Sequence, residues 1–198
     1  NFMSHNNNPL NKFDLWYKEA CAHQLITEPS AMSLATATKA AAPSVRIVLM
    51  RGYSDLGFVF YTNLTSRKSL EIIENDQAAL CFYWMPLKKQ IRVTGTISKV
   101  ADDQADKYFS GRPRGSQISA WASKQSSKLA DYDIFTKKVA KITQDFAEHE
   151  EVPRPSFWSG YIINPSEIEF WQEKEFRRHE RNLYKKSGDA WQNEMLYP

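Results

Sequence analysis

In SVRIVLMRGYSDLGFVFYTN (residues 44–63), two short runs rich in β-branched and aromatic residues flank a DLG turn at 55–57. That pattern predicts a β-hairpin. Working outward, AMSLATAT (31–38) reads as a strand before it. AALCFYWM (78–85) and KQIRVTGTISKV (89–100) read as a second hairpin across Pro86. SRKSLEIIEND (66–76), opened by a serine cap, predicts a short helix between the hairpins. Asn8-Pro9 supplies an N-cap and a first-turn proline, and Leu10, Phe13, Tyr17, Ala20 and Leu25 follow at helical spacing. ADDQADKYFSG (101–111) predicts a helix broken by RPRG (112–115). A longer helix follows, with Phe135, Val139, Ile142 and Phe146 on one stripe. After the proline-bounded connector EVPRPS (151–156), three strand-like runs close the chain: FWSGYIIN, SEIEFWQE and DAWQNEMLY. Hairpin-paired strands with inserted helices predict an α+β fold that is mostly β, an antiparallel barrel with helical additions. Residues 1–27 read as a polar leader plus helix, and 28–198 as a single domain.

The composition narrows the classes. At 198 residues and 42% hydrophobic, the chain suits one decorated core. Its longest apolar runs are too short to cross a bilayer, and no apolar segment near the start resembles a secretory signal, so a soluble cytoplasmic protein is expected. Cys21 and Cys81 form no CxxC pair, and His5, His23, His149 and His179 are scattered, so no metal site is expected. A net charge of +3 is too small and too unclustered for a nucleic-acid binder, but it permits local pockets for small anions.

None of the seven glycines forms GxGxxG or a P-loop, so any phosphate must be held mostly by side chains. Three segments qualify. VRIVLMR carries Arg46 and Arg51 in a run that otherwise reads as buried. TSRKS (65–69) opens a helix with Arg67 and Lys68, where free N–H groups can face an anion. YFSGRPRGSQ sets Tyr108, Arg112, Arg114 and Ser116 around a tight turn. A fourth stretch, IEFWQEKEFRRHER (168–181), mixes Phe170 and Trp171 with Arg177, Arg178, His179 and Arg181. It reads either as a solvated basic face or as a grip on something flat and anionic. Taken singly, each cluster is equally well an exposed charge pair, a turn or a core aromatic.

Together they carry a resemblance. RIVLMR, FYTNLTSRKS, YFSGRPRGSQISAWASKQSS, PSFWSGY and IEFWQEKEFRRHER follow one another as they do in the pyridoxine/pyridoxamine 5′-phosphate oxidases. The chain resembles that family from about Glu28 to Pro198, most diagnostically in the acidic–aromatic–Trp run followed by Arg-x-His-x-Arg. The resemblance implies a split β-barrel homodimer with FMN in clefts between subunits. By position it implies a flavin set of Arg46, Ile47, Val48, Leu49, Met50, Arg51, Tyr61, Thr62, Arg67, Lys68, Gln90, Gln125, Ser126, Trp171 and Arg181. Arg51, Tyr108, Arg112 and Ser116 are similar to the group holding the substrate phosphate, and Arg177 and His179 to the catalytic pair that meets the vitamin ring. The implied activity is oxidation of pyridoxamine or pyridoxine 5′-phosphate to pyridoxal 5′-phosphate. A hydride leaves C4′ for flavin N5, and O2 reoxidises the flavin to give H2O2.

The chain departs from the family pattern at Arg51 (usually Lys), Arg178 (usually aliphatic), Glu173-Lys174 (often glycines) and Gly115 (often acidic). These departures leave two alternatives: a phenazine-biosynthesis-type FMN oxidase of the same fold, and a non-catalytic flavin- or B6-phosphate-binding module.

Overall fold

The computed structural model describes residues 8–198; the leader expected over the first residues, and His5 with it, lies outside them except for Asn8. In chain order the elements are α1 (Pro9–Ala22), β1 (Ala31–Ala37), β2 (Pro43–Leu49), β3 (Gly52–Ser54), β4 (Gly57–Asn63) and α2 (Arg67–Glu74). Then come β5 (Gln77–Trp84), β6 (Lys89–Lys99), α3 (Asp102–Ser110), α4 (Arg114–Ala122), α5 (Tyr132–Asp145), β7 (Trp158–Gln172), β8 (Glu180–Ser187) and β9 (Ala190–Leu196). The strands pair antiparallel in one sheet of order β2-β1-β5-β6-β7-β4-β3, with β8 added on β7 and β9 on β8. The sheet curls into a half-barrel, the mostly β architecture with helical additions that the hairpin pattern implied.

The 44–53 run is not one strand. Its first part pairs with β1, Ala31 opposite Leu49, and its last part pairs with β4, Gly52 opposite Val59. The handover falls at Met50–Arg51. The Met50 amide donates to the Ser30 carbonyl at 2.9 Å, and the Arg51 amide donates to the Val59 carbonyl at 2.8 Å. Met50 is thereby pinned in the core at 4% exposure. The DLG turn closes the β3–β4 hairpin. Gly57 sits there at φ +127°, where an added Cβ would lie 1.9 Å from the Ile163 carbonyl oxygen, so no other residue fits.

The expectation that this run is buried fails for its first part. β2 is a free edge of the sheet, and Val45 and Ile47 are 69% and 64% exposed. Other differences are local. FWSGYIIN and SEIEFWQE form the single strand β7, because a register shift at Thr94/Gly95 absorbs Ser166, next to Pro165, as a bulge. β8 was not expected, since ERNLYKKS buries only Leu183 and Tyr184. The helical run does break at RPRG, but α4, which was not expected, starts within it at Arg114 with Pro113 as its N-cap. α1 ends at Ala22, so Leu25 lies beyond it.

The core explains why α1 belongs to the barrel. Phe13 is fully buried and meets Phe58 edge-on at 4.8 Å and Tyr53 at 4.9 Å. Burying a side chain of that size contributes roughly 1.5–3 kcal/mol. Around it lie Met32, Leu34, Phe60, Phe82, Ile91, Ile163, Ile168 and Phe170. A second cluster of Phe109, Ile118, Val152 and Trp158 seats the helices on β7. Of the expected stripe, Val139, Ile142 and Phe146 pack against it, whereas Phe135 does not join this cluster. Among the described residues no helix is long and apolar enough to cross a membrane.

Candidate active site

A cleft of about 1440 Å³ opens beside β2 and β4, bounded by α3 and the N-terminal ends of α2 and α4. One ligand pocket typically spans roughly 300–1,000 Å³, so this space is larger than a single small molecule needs. Its lining includes Arg46, Ile47, Val48, Leu49, Arg51, Tyr61, Thr62, Arg67, Lys68, Tyr108, Arg112, Ser116, Gln125 and Ser126. The structure thus gathers both expected phosphate clusters into one cavity.

The first wall is organised by Glu71, which the sequence reading did not single out. Its carboxylate, 4% exposed, accepts hydrogen bonds from Thr36 Oγ1 (2.5 Å), Ser44 Oγ (2.5 Å), Arg67 Nε (2.8 Å) and Arg46 Nη2 (3.3 Å). Burial alone would raise its pKa. The bonds from Ser44, Thr36 and Arg67, with the charge of Arg46, instead hold it at about 2. The signal available in sequence was its i+4 spacing from Arg67 on a predicted helix.

The next layer is a buried lysine. Lys68 Nζ donates to Gln125 Oε1 (2.9 Å), Thr62 Oγ1 (3.0 Å) and Ser66 Oγ (3.2 Å). Burial, helped by the Arg46 charge, lowers its pKa to about 8. Three elements therefore meet on one ammonium. At the start of α2 the Ser66 hydroxyl donates to the Asn63 carbonyl rather than capping the helix, so the first-turn N–H groups carry no side-chain cap.

The far wall is aromatic. Tyr61 and Tyr108 stack at 3.8 Å and 2° between planes, and Trp158 lies parallel to Tyr61 at 5.4 Å. Close approach makes this possible: Tyr61 is paired with Gly160, where a Cβ would stand 2.7 Å from the ring. The Arg112 guanidinium lies over the Trp158 ring at 4.7 Å. Its Nη1 is buried without a hydrogen-bond partner. Burial lowers the Arg112 pKa, partly offset by Tyr108, and nearby Arg51 lowers it further. A buried donor with no acceptor costs about 1–3 kcal/mol, which an incoming anion would remove.

Arg114 does not join this group. Its guanidinium turns to the end of α5 and donates to the carbonyls of Phe146 (2.6 Å), His149 (2.9 Å) and Glu150 (3.3 Å). Carbonyls at a helix C-terminus carry partial negative charge, which favours a cation there. Gln104, Lys107, Ser119, Ser123 and Trp158 also line the cleft and were not singled out from sequence; of these Ser119, Ser123 and Trp158 fall in segments whose order carries the resemblance.

The remaining expected site residues lie elsewhere. Met50 is in the core. Gln90, Trp171 and Arg181 sit abreast on β6, β7 and β8. Trp171 lies eleven residues along β7 from Gly160, a contour of roughly 36 Å at about 3.3 Å per residue. The His179 ring packs on Trp171 with centroids 4.6 Å apart, and its Nδ1 accepts from the Lys174 amide at 3.3 Å. Arg181 forks onto buried Glu169, Nε to Oε1 at 2.7 Å and Nη2 to Oε2 at 3.2 Å, while Nη1 donates to the Tyr197 carbonyl at 3.1 Å. Burial would raise the Glu169 pKa, but the bonds from Arg181 and Arg92 lower it. Arg177 is exposed, and both it and Phe176 hold positive φ, +60° and +54°.

Comparison with known proteins bears on this geometry. The family described as pyridoxamine 5′-phosphate oxidase matches residues 19–145. The chain belongs to that family. Residues 158–198, which hold β7 to β9, match the family's second region, described as the pyridoxine 5′-phosphate oxidase C-terminal dimerisation region. A relative from Zymomonas mobilis named pyridoxine/pyridoxamine 5′-phosphate oxidase is 45% identical over 190 residues, covering 96% of this chain and 98% of its own. Another of that name, from Rubrobacter xylanophilus, is 46% identical over 190 residues, covering 96% and 87%. Among solved structures, PhzG from Burkholderia lata, in complex with tetrahydrophenazine-1-carboxylic acid, superposes with a TM-score of 0.91 at 30% identity, covering 98% of this chain and 94% of its own. As a member of the pyridoxamine 5′-phosphate oxidase family, this chain is an oxidoreductase.

Proposed function

We propose that the chain oxidises pyridoxamine or pyridoxine 5′-phosphate to pyridoxal 5′-phosphate with FMN as cofactor, and that it does so as a homodimer. The observation that carries this reading is one cleft with two separate anion grips. Arg67 and Lys68 stand at the uncapped start of α2, and Tyr108, Arg112 and Ser116 stand around the start of α4. Two grips suit a phosphorylated cofactor beside a phosphorylated substrate. The donor set fits: Arg67 holds Glu71 by Nε alone, leaving both terminal nitrogens of its fork, and Arg112 Nη1 lacks an acceptor. Bound FMN supplies the two-electron acceptor for C4′, which no side chain can replace, and O2 returns it to the oxidised form.

The chain's residues then divide the remaining work. Arg67, with Thr62, Gln125 and Ser126, holds the FMN phosphate end, and Lys68, whose three donors meet Thr62, Ser66 and Gln125, adds its charge behind them. Arg112, Tyr108, Ser116 and Arg51 hold the substrate phosphate. Gln90, Trp171, Arg177, His179 and Arg181 are supplied by a second copy, because in this chain they stand on β6–β8 or in the segment joining β7 to β8, outside the cleft. The match of β7 to β9 to a dimerisation region supports that arrangement. Arg177 lies flat against the pyridine ring as a permanent cation. His179, whose Nδ1 accepts from the Lys174 amide, presents Nε2 to the substrate heteroatom at C4′.

Anaerobic mixing of FMN-loaded protein with pyridoxamine 5′-phosphate tests the reading. Bleaching of the yellow flavin absorption is expected. Protein that cannot be loaded with FMN, or that stays yellow, overturns it. The likeness to PhzG supports a second reading, an FMN oxidase of a carboxylated tricycle. It is favoured if tetrahydrophenazine carboxylate bleaches the flavin and the vitamer does not.

A further inference from the structure

We propose that Glu71 is a positioning residue that aims Arg67 at the anionic end of the cofactor. The inference rests on reading this end of the cleft as an FMN site. The two arginines that Glu71 touches are in opposite situations. Arg46 has both terminal nitrogens engaged: Nη1 donates to the Leu34 carbonyl (3.1 Å) and Thr36 Oγ1 (2.5 Å), and Nη2 to Ser44 Oγ and Glu71 Oε2 (3.3 Å). Each of those nitrogens carries two hydrogens, so only Nε remains. Arg46 is therefore a brace rather than a grip.

Arg67 engages Nε alone, on Glu71 Oε1 at 2.8 Å, and among the described residues its Nη1 and Nη2 have no hydrogen-bond partner. Its side chain is 65% exposed at the cleft. A free arginine at such a site would lose rotamer freedom on gripping an anion. Glu71 removes part of that cost in advance, since it is itself tied to β1 through Thr36, to β2 through Ser44 and to Arg46. The carboxylate also subtracts positive field from the cleft. Across an open, wet cleft that effect is screened, whereas the orientation of a bidentate fork is not. Orientation therefore dominates, and removing Glu71 weakens anion binding.

The test compares FMN with riboflavin, which lacks the phosphate, by flavin-fluorescence titration of apoprotein. Glu71→Gln is expected to weaken FMN roughly 10-fold or more and riboflavin less than about 2-fold. In an Arg67→Ala background the same substitution should have no further effect on the FMN-to-riboflavin ratio, because the residue it acts through is gone. If Glu71→Gln does not fold, Glu71→Asp serves. It keeps the charge, withdraws the carboxylate by about 1.5 Å, and should lower the same ratio. Unchanged FMN affinity, parallel loss of both flavins, or full additivity with Arg67→Ala overturns the proposal. Wild-type protein with no preference for FMN over riboflavin overturns the cofactor reading itself, and the proposal with it.

Discussion

The wall of the cleft and the 173–181 segment are built on opposite plans. In the cleft, Glu71, Arg46 and Lys68 are buried or half-buried, and each is held by several hydrogen bonds from different strands and helices. In the 173–181 segment, Arg177 and Arg178 are exposed, Phe176 is 83% exposed, and two consecutive residues hold left-handed backbone. For non-glycine residues that conformation costs roughly 1–2 kcal/mol each. On the proposed function, the contrast separates the part of the site built within one chain from the part a second copy would supply. The anion-lined half is held by hydrogen bonds within one chain, and the half we assign to the vitamin ring faces outward.

The largest test of that contrast is complementation. If each site joins the cleft of one subunit to the C-terminal segment of another, Arg112→Ala and Arg177→Ala each abolish turnover in their own homodimers. Mixing them with subunit exchange should restore about a quarter of wild-type activity, since half the dimers are mixed and each holds one intact site. No recovery would place both halves of the site within a single subunit and remove the contrast.

A second test strikes the rigid half alone. At Gly160 a methyl group would stand 2.7 Å and 2.8 Å from Tyr61 ring atoms and 2.9 Å from Val100 Cγ2. Gly160→Ala must push Tyr61 into Tyr108, only 3.8 Å away. We expect a stability loss of about 1–3 kcal/mol, read in chemical denaturation, together with a raised KM for the vitamer. A variant with wild-type stability and KM would show that the aromatic wall yields easily.

A third, smaller effect follows from Lys68. With a folded pKa of about 8 against an ordinary 10.5, the folded apoprotein releases this proton while the unfolded chain still holds it. Where the unfolded state binds more protons, stability rises with pH, so this group adds stability between about pH 8 and 10.5 and contributes nothing variable below that window. Affinity for the FMN phosphate runs the other way, because binding then requires proton uptake. It should weaken above about pH 8 by at most tenfold per pH unit, and Lys68→Met should flatten the profile. Opposite slopes for apoprotein stability and FMN affinity are the signature. Parallel slopes would mean that Lys68 does not face the anion.

How much of this was legible in the sequence depends on what fixed each feature. The hairpins and the α5 stripe were legible because their patterns are local. The division of the 44–53 run at Met50 was not, because it depends on which partner, Ser30 or Val59, receives each amide. The cleft residues could be named from motif order, yet the reason Arg46 and Arg67 behave differently lies in Glu71, whose partners come from β1, β2 and α2. Arg114 shows the converse. Its position beside Arg112 suggested a phosphate, while its geometry serves the end of a helix 32 residues later in the chain.

The smallest effect concerns Arg178, the residue that departs from the family pattern inside its most diagnostic motif. Its guanidinium lies 5.7 Å from the Phe176 ring, an exposed cation on an exposed aromatic. Its amide donates to the Glu175 carbonyl at 3.1 Å, a backbone bond that any residue other than proline would make. An exposed cation–π contact contributes about 0.5–1 kcal/mol, and less where both groups are hydrated. Arg178→Leu should therefore change stability by less than about 0.5 kcal/mol and turnover by less than about twofold. A rise in KM of tenfold or more would show that Arg178 reaches a negative charge in the partner's cleft, and the exposed segment would then be part of the anion grip rather than its outward-facing counterpart.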